Sequence, residues 1–289
     1  MSSLVDLNKT EGQPGCLKVA ALVSGRLGAQ ELWAIKNISA VRCRLYVIRA
    51  TQATAVSKYI RAHRLIKEYG LLRTASRWLG GLIGSRVAAK NRKMLDELFD
   101  VGALEDWWNH SDIRPHNVPT LNHPDSRSLL EELAPDIIIR VSGGILKPHI
   151  FSLAKIAALN IHHGQAPLIR GMWSIPWGII EGRPDWIGAT VHMIDEGIDT
   201  GTILWRGAPQ LSPGDAYADL LFRTHLEAVS ALVQILKIYA LDETPRPWTC
   251  LPQEISAYRS APGLWEWIKF LRLDQGRRAQ VLIRKGIKC

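Results

Sequence analysis

An open α/β fold with a mostly parallel sheet is predicted by three observations. Short apolar runs end at glycine, helical stretches follow them, and the next apolar run comes at the distance a βαβ unit needs. The first run is Leu17-Lys18-Val19-Ala20-Ala21-Leu22-Val23, stopped by Ser24-Gly25 and followed by helical character from Gln30 to Ile35. Leu45-Tyr46-Val47-Ile48 then supplies the next parallel strand. Residues 1–16, polar and broken by Gly12, Pro14 and Gly15, read as a flexible lead-in.

An insertion over about 55–110 follows. Lys58, Arg61, Arg64, Lys67, Arg73, Arg77, Arg86, Lys90, Arg92 and Lys93 are set among Leu71, Leu72, Trp78, Leu79 and Leu82. The pattern is helical and strongly basic. A solvated basic face accounts for it, and so does a docking surface for an anionic partner.

Strand character resumes at Asp136-Ile137-Ile138-Ile139, which ends in Ser142-Gly143-Gly144, and at Ala157-Ala158-Leu159-Asn160-Ile161. A helical stretch, Pro148 to Ile156, joins the two. A later strand covers Ala189 to Ile194, and one domain is expected over 17–210. Beyond it, Ser212-Pro213-Gly214-Asp215 starts a long amphipathic helix, Ala216 to Leu241. The rest of a helical C-terminal segment, 211–289, is proline-rich and ends basic.

Composition narrows the class. The chain has 289 residues, 47% hydrophobic and 22% charged, which suits a folded globular protein rather than a disordered one. Its net charge of +9 favours an anionic partner. Cys16, Cys43, Cys250 and Cys289 form no metal spacing, so no metal is expected. Their scatter suits a reducing cytoplasm. No run of about 18 apolar residues is present, so no transmembrane segment is expected.

Ligands of open α/β sheets bind beyond the carboxyl ends of the strands. Asn160 and His162 stand at one such end, two residues apart and so on one side of the strand. Asp199 lies in the glycine-punctuated acidic loop Asp195-Glu196-Gly197-Ile198-Asp199-Thr200-Gly201. An amide, an imidazole and a carboxylate suit acyl transfer to an amine, which needs proton movement and a stabilised oxyanion. A carboxylate near the histidine would favour its charged form. On spacing alone, a structural histidine and a turn-shaping aspartate explain the same residues.

The order Asn160-Ile161-His162, Pro167, Arg170-Gly171, Pro176-Trp177, Gly188-Ala189-Thr190-Val191-His192 and Asp199-Thr200-Gly201 resembles the signature of the 10-formyltetrahydrofolate-dependent formyltransferases. The likeness is strongest over 135–205. It implies a Rossmann-like formyltransferase fold, with Asn160, His162 and Asp199 as catalytic residues and 10-formyltetrahydrofolate as the cosubstrate. It further implies that Gly144, Ile145 and Leu146, with Asp195, Glu196, Gly197 and Ile198, hold the pterin mainly through backbone groups. Gln165 and Arg170 are the candidate acceptor ligands, Arg170 suiting either a phosphate or carboxylate or a structural ion pair.

The family's serine-leucine-leucine-proline loop is replaced by Gly164-Gln165-Ala166-Pro167, and the turn Ser24-Gly25-Arg26-Leu27-Gly28 lacks the phosphate-binding pattern of the purine enzyme. Glycinamide ribonucleotide is therefore not the expected acceptor. The proline-rich stretch from Asp242 is not expected to form the C-terminal β-barrel of methionyl-tRNA formyltransferases. A small, phosphate-bearing amine is expected, foremost a nucleotide-linked amino sugar, then an amino acid or a hydroxylamine such as a siderophore precursor. Nucleic acid is not an expected partner, and a homodimer is compatible with the sequence. A non-catalytic binding protein of the same fold, docked through its basic segment, is the rival class. Trp107, Trp108 and Trp173 suit either stacking or core packing, while His123, His163 and His192 are read as structural.

Overall fold

The computed structural model describes residues 16–52, 66–67, 70–212, 215–249 and 256–273. The expected lead-in, the Lys58, Arg61 and Arg64 part of the basic segment, and the basic end of the chain lie outside the described residues. Strands β1 (Leu17–Ser24), β2 (Cys43–Ala50), β3 (Pro115–Val118), β4 (Ile137–Arg140) and β5 (Ala157–His162) pair in parallel. Strands β7 (Ala189–Met193) and β8 (Ile203–Gly207) extend the sheet antiparallel, in the order β3-β2-β1-β4-β5-β7-β8. The mostly parallel α/β expectation holds.

The central strands are apolar on both faces because helices cover both. Val19, Ile137, Ile139, Leu159 and Ile161 face α1 (Ala29–Ser39) and the long helix α7 (Tyr217–Tyr239). Their alternates Ala20, Leu22, Ile138 and Ala158 face α4 (Pro124–Leu133) and α5 (Pro148–Phe151). The stretch expected to be helical to Ile156 is helical only to Phe151, because the Lys155 and Ile156 N–H groups already bond to the Pro135 and Asp136 carbonyls and lead into β5.

The basic insertion forms α2 (Leu71–Leu98), followed by α3 (Val101–His110). It does not stand apart. Val87 of α2 shares an apolar layer with Ile175 and Ile179 of α6 (Ser174–Glu181), Tyr217 and Leu220 of α7, and Trp267 and Phe270 of α8 (Leu264–Arg272). Helix α8 and strand β9 (Ala257–Arg259) arise in the proline-rich stretch that was expected to be an irregular tail. β9 pairs in parallel with β6 (Ile169–Gly171), so the end of the chain folds back onto the loop after β5.

The approach of α8 to α2 depends on small residues. A Cβ on Gly80 would stand 2.6 Å from the Gly263 carbonyl carbon, and one on Gly84 3.1 Å from the Trp267 ring. Ser76 Oγ accepts the Leu264 N–H at 3.2 Å beside this crossing. Gly80→Val is expected to strain the contact by about 1–3 kcal/mol, seen as a fall of several degrees in Tm. An unchanged Tm in thermal unfolding would mean that the two helices do not meet this closely in solution.

Candidate active site

Strand register builds the centre of the site. Arg140 on β4 is opposite Asn160 on β5, and Asn160 is opposite His192 on β7, so three polar side chains form one row across the sheet. Arg140 Nε donates to Asn160 Oδ1 at 2.7 Å. That contact fixes the amide, whose Nδ2 donates to His192 Nε2 at 2.9 Å. His192 Nδ1 in turn donates to the Met193 carbonyl at 2.7 Å, leaving Nε2 free to accept. Arg140 Nη1 also donates to the Gly143 and Gly144 carbonyls, at 2.9 and 3.0 Å, and so ties the loop after β4 to the same row.

His162, at the end of β5, is buried beside this row. Its Nε2 lies 3.1 Å from the Ile169 carbonyl and 3.3 Å from Ser174 Oγ. A carbonyl has no hydrogen to give, so Nε2 carries the proton and donates it. Nδ1 is then the nitrogen that takes up a second proton, and it faces Asp199 Oδ2 at 3.4 Å. Asp199 Oδ1 is 3.5 Å from His192 Nε2.

Asp199 reaches this position from a left-handed backbone, with φ of 51°. The Gly171 N–H anchors Oδ2 at 2.9 Å. Gly171 has φ of 101°, and a Cβ there would run into the Arg259 carbonyl, so glycine is required.

Burial would raise the Asp199 carboxyl, but the neighbouring His192 and His162 rings and the Gly171 N–H outweigh it and hold the group well below the usual carboxylate range. His162 departs from the simple expectation that its carboxylate keeps it charged. Burial pulls its pKa below the ordinary 6.5 and exceeds the opposing pull of Asp199, so the resting imidazole is neutral at pH 7. Burial also lowers Arg140, against the opposing effect of Asp199.

Two cavities meet at this cluster. One, of about 320 Å³, is lined by Gly144, Ile145 and Leu146 on one side and by Asp195, Gly197, Ile198 and Asp199 on the other. Asn160, His162 and His192 form its base. The other, of about 400 Å³, has Gln30, His163, Trp173 and Tyr217 in its wall. Arg140, His162, Gly171 and Met172 line both. The second cavity continues past Gln30, Trp173, Tyr217 and Leu221 into a third of about 410 Å³, bounded by the turn after β1 and by Asn91, Arg92 and Leu95 of α2. The insertion thus lines the groove.

Asn160, His162 and Asp199 are brought together, as are the two expected pterin loops, except that Glu196 is exposed and outside the cavity wall. Gln165 lines none of these cavities: its Nε2 donates to the Ile187 carbonyl at 2.9 Å and braces the chain before β7. Arg170 points back into the structure, with Nε donating to Ser256 Oγ at 2.7 Å and Nη1 to the Ile198 carbonyl at 3.3 Å. Its partners are a hydroxyl and a backbone oxygen rather than a carboxylate.

His123 accepts the Asp125 N–H at the start of α4, as a structural histidine does. His192 is the correction, since it bridges Asn160 and Asp199. Arg140 carried no sequence signal beyond its place at a strand end, one register position from Asn160. Trp107 and Trp108 pack partly buried in a core cluster, whereas Trp173 lines the groove. His163 Nε2 lies 3.0 Å from His225 Nδ1, whose ring is fixed by the Gln30 carbonyl, also at 3.0 Å. Among the described residues no group of three or more His, Cys, Asp or Glu is placed to hold a metal.

Residues 107–236 match the family model described as formyl transferase. A methionyl-tRNA formyltransferase from Synechococcus sp. (strain JA-3-3Ab) is 32% identical over 161 residues, covering 55% of this chain and 48% of the relative. The chain spans about half the length of the curated relatives it matches. Glycinamide ribonucleotide transformylase 1 from Symbiobacterium toebii matches in structure with a TM-score of 0.51 at 17% identity, covering 81% of this chain and 94% of that one. An N-formyltransferase from Helicobacter canadensis, solved with folinic acid and dTDP-3-aminofucose, matches with a TM-score of 0.50 at 17% identity, covering 83% and 70%. These structural likenesses concern the fold.

Proposed function

We propose that the chain belongs to the formyl transferase family, whose model matches residues 107–236, and that it moves a formyl group from 10-formyltetrahydrofolate to a primary amine, with Asn160, His162 and Asp199 performing the chemistry. The observation that carries this reading is their convergence on the smaller cavity, with His162 also lining the larger one.

The smaller cavity suits the folate. Its size falls within the usual range for ligand pockets, about 300–1,000 Å³, and its walls combine loop backbone with Ile145, Leu146 and Ile194. The acceptor amine then enters from the larger cavity. As the amine nitrogen bonds to the formyl carbon, negative charge moves to the formyl oxygen, and the second Nδ2 hydrogen of Asn160 is available to hold it. The attacking nitrogen gives up a proton, for which neutral His162 Nδ1 is the acceptor, and Asp199 balances the imidazolium that forms. The bond to the folate nitrogen breaks as that nitrogen regains the proton.

Arg140 is a positioning residue in this scheme, because it holds Oδ1 of the Asn160 amide while His192 takes one Nδ2 hydrogen. Arg140→Met is expected to lower kcat about tenfold or more, and Arg140→Lys does not restore it, since an ammonium cannot reach Asn160 and the Gly143 and Gly144 carbonyls in the fork geometry of a guanidinium. Single-turnover rates with folate saturating check this. A Lys variant equal to the wild type would reduce Arg140 to a local charge.

A nucleotide-linked amino sugar is the proposed acceptor. The outer groove offers Trp173 and Tyr217 beside Arg26 and Arg92, surfaces for an aromatic base and for phosphates. The start of α1, a natural anion site, is already filled: Glu31 Oε2 takes the Gly28 N–H at 3.1 Å. That carboxylate argues against a phosphate at the α1 terminus, where a glycinamide ribonucleotide reading would need one. A screen of nucleotide-linked amino sugars, amino acids and hydroxylamines with 10-formyltetrahydrofolate, read by the gain of one formyl mass, tests the proposal. Transfer only to an amino acid or hydroxylamine would replace the proposed acceptor, and no transfer to any amine would remove the activity. A reducing cytoplasm is the proposed setting, supported by the free thiols of Cys16 and Cys43.

A further inference from the structure

Helix α2 is two-sided in a way that its role in the groove does not use. Its buried positions Gly80, Gly84, Val87, Asn91 and Leu95 recur every three or four residues and face the body of the protein. Leu71, Ala75, Trp78 and Leu82 recur at the same period on the opposite face, since positions two apart on a helix differ by about 200°. That outward face is apolar and exposed: Leu71 is 69%, Leu72 86% and Trp78 67% accessible, with Leu79 and Leu82 also open. Trp265 of α8, 70% accessible, follows Leu264, whose N–H is bonded to Ser76 of α2. Further along, the same outward face continues as Arg86, Lys90 and Lys93, all exposed. The helix holds six basic residues, Arg73, Arg77, Arg86, Lys90, Arg92 and Lys93, against the two acids Asp96 and Glu97.

We propose that this face docks the protein peripherally on an anionic lipid bilayer. The Leu and Trp half enters the acyl boundary, while Arg86, Lys90 and Lys93 sit among the headgroup phosphates. Charge and order along the helix select this occupant. A second copy of the chain packed face to face on α2 would oppose basic to basic if parallel, and bury Arg86, Lys90 and Lys93 against Leu and Trp if antiparallel. A bilayer offers apolar depth and anionic surface together. No helix among the described residues is long and apolar enough to cross a membrane, so the contact proposed is interfacial. It leaves the far end of α2 to line the groove, and it does not depend on which amine is formylated.

Sedimentation of the full chain with vesicles tests the proposal. Binding is expected to vesicles of phosphatidylcholine with about one third phosphatidylglycerol, weak binding to phosphatidylcholine alone, and a steep loss with salt. Leu71→Ser/Trp78→Ser/Leu82→Ser should weaken binding about tenfold or more, and Arg86→Glu/Lys90→Glu/Lys93→Glu about a hundredfold, each with an unchanged Tm because the replaced side chains are exposed. Lys237→Glu on α7 should change little. Equal binding to both vesicle types, no binding, or binding that survives both triple variants would overturn the proposal. So would a dimer, seen by light scattering, that the serine variant abolishes, because it would give the face to a second copy.

Discussion

Replacing Asn160 with Ala is expected to lower kcat by about 100-fold or more while the affinity for reduced folate changes little. The amide reaches the site with its direction fixed, because Arg140 Nε holds Oδ1 and His192 Nε2 takes one Nδ2 hydrogen. Only the other hydrogen is free for the formyl oxygen, and its interaction strengthens as charge develops there. The loss should therefore appear in the transition state rather than in binding. Asn160→Asp is the sharper variant: it keeps the shape and the contact to Arg140, but replaces the donor with an acceptor beside Asp199. It should be at least as slow as Asn160→Ala. Stopped-flow single turnovers and folate binding, measured on the same preparations, separate the two effects. Weakened folate binding with an intact single-turnover rate would make Asn160 a cosubstrate ligand and refute the proposed role.

The place of the candidate residues was legible in the sequence because they sit at strand ends, and strand ends are marked by where apolar runs stop. That rule placed Asn160 and His162 on one side of a strand, while the roles proposed for them come from the resemblance. Asp199 needed the glycine-rich loop as well, and its left-handed backbone explains why the loop is punctuated as it is. Arg140 and His192 escaped because their role comes from register across three strands, and no local pattern states which residues will be opposed. His192 was open to discovery, since it lies within a matched stretch and two strands' ends converge there. Gln165 is close to His162 along the chain, but its side chain turns to the Ile187 carbonyl.

The long-range elements were harder. Strand β9 is three residues long and finds its only described partner in β6, some ninety residues earlier in the chain. No period of two can be read in so short a segment. Helix α8 has a clear apolar side, Trp267 and Phe270, but at nine residues in a proline-rich stretch its bounds could not be read from periodicity. The insertion carries none of the motifs behind the resemblance, yet Gly80 and Gly84 bring it against α8, and its later turns reach the groove. Glycines within a helical pattern were the sign of that close packing.

The pairing of His162 with Asp199 should make their mutations far from additive. His162→Asn, Asp199→Asn and the double variant are expected to show similar residual rates, each down by about 100-fold or more, since a proton acceptor and its counter-ion act as one unit. The pH profile gives an independent sign. Burial places the His162 pKa below 6.5 and Asp199 opposes that effect, so the single-turnover rate should rise with pH through a value below 6.5 and then level off, the neutral ring being the form that accepts a proton. Removing the Asp199 charge takes away the opposing effect, and the midpoint should move further down while the plateau falls. A midpoint that rises in Asp199→Asn would mean that the carboxylate does not stabilise the imidazolium. Multiplicative losses in the double variant would show that the two groups act separately, and His162 would then have to pass its proton without Asp199 as the balancing charge.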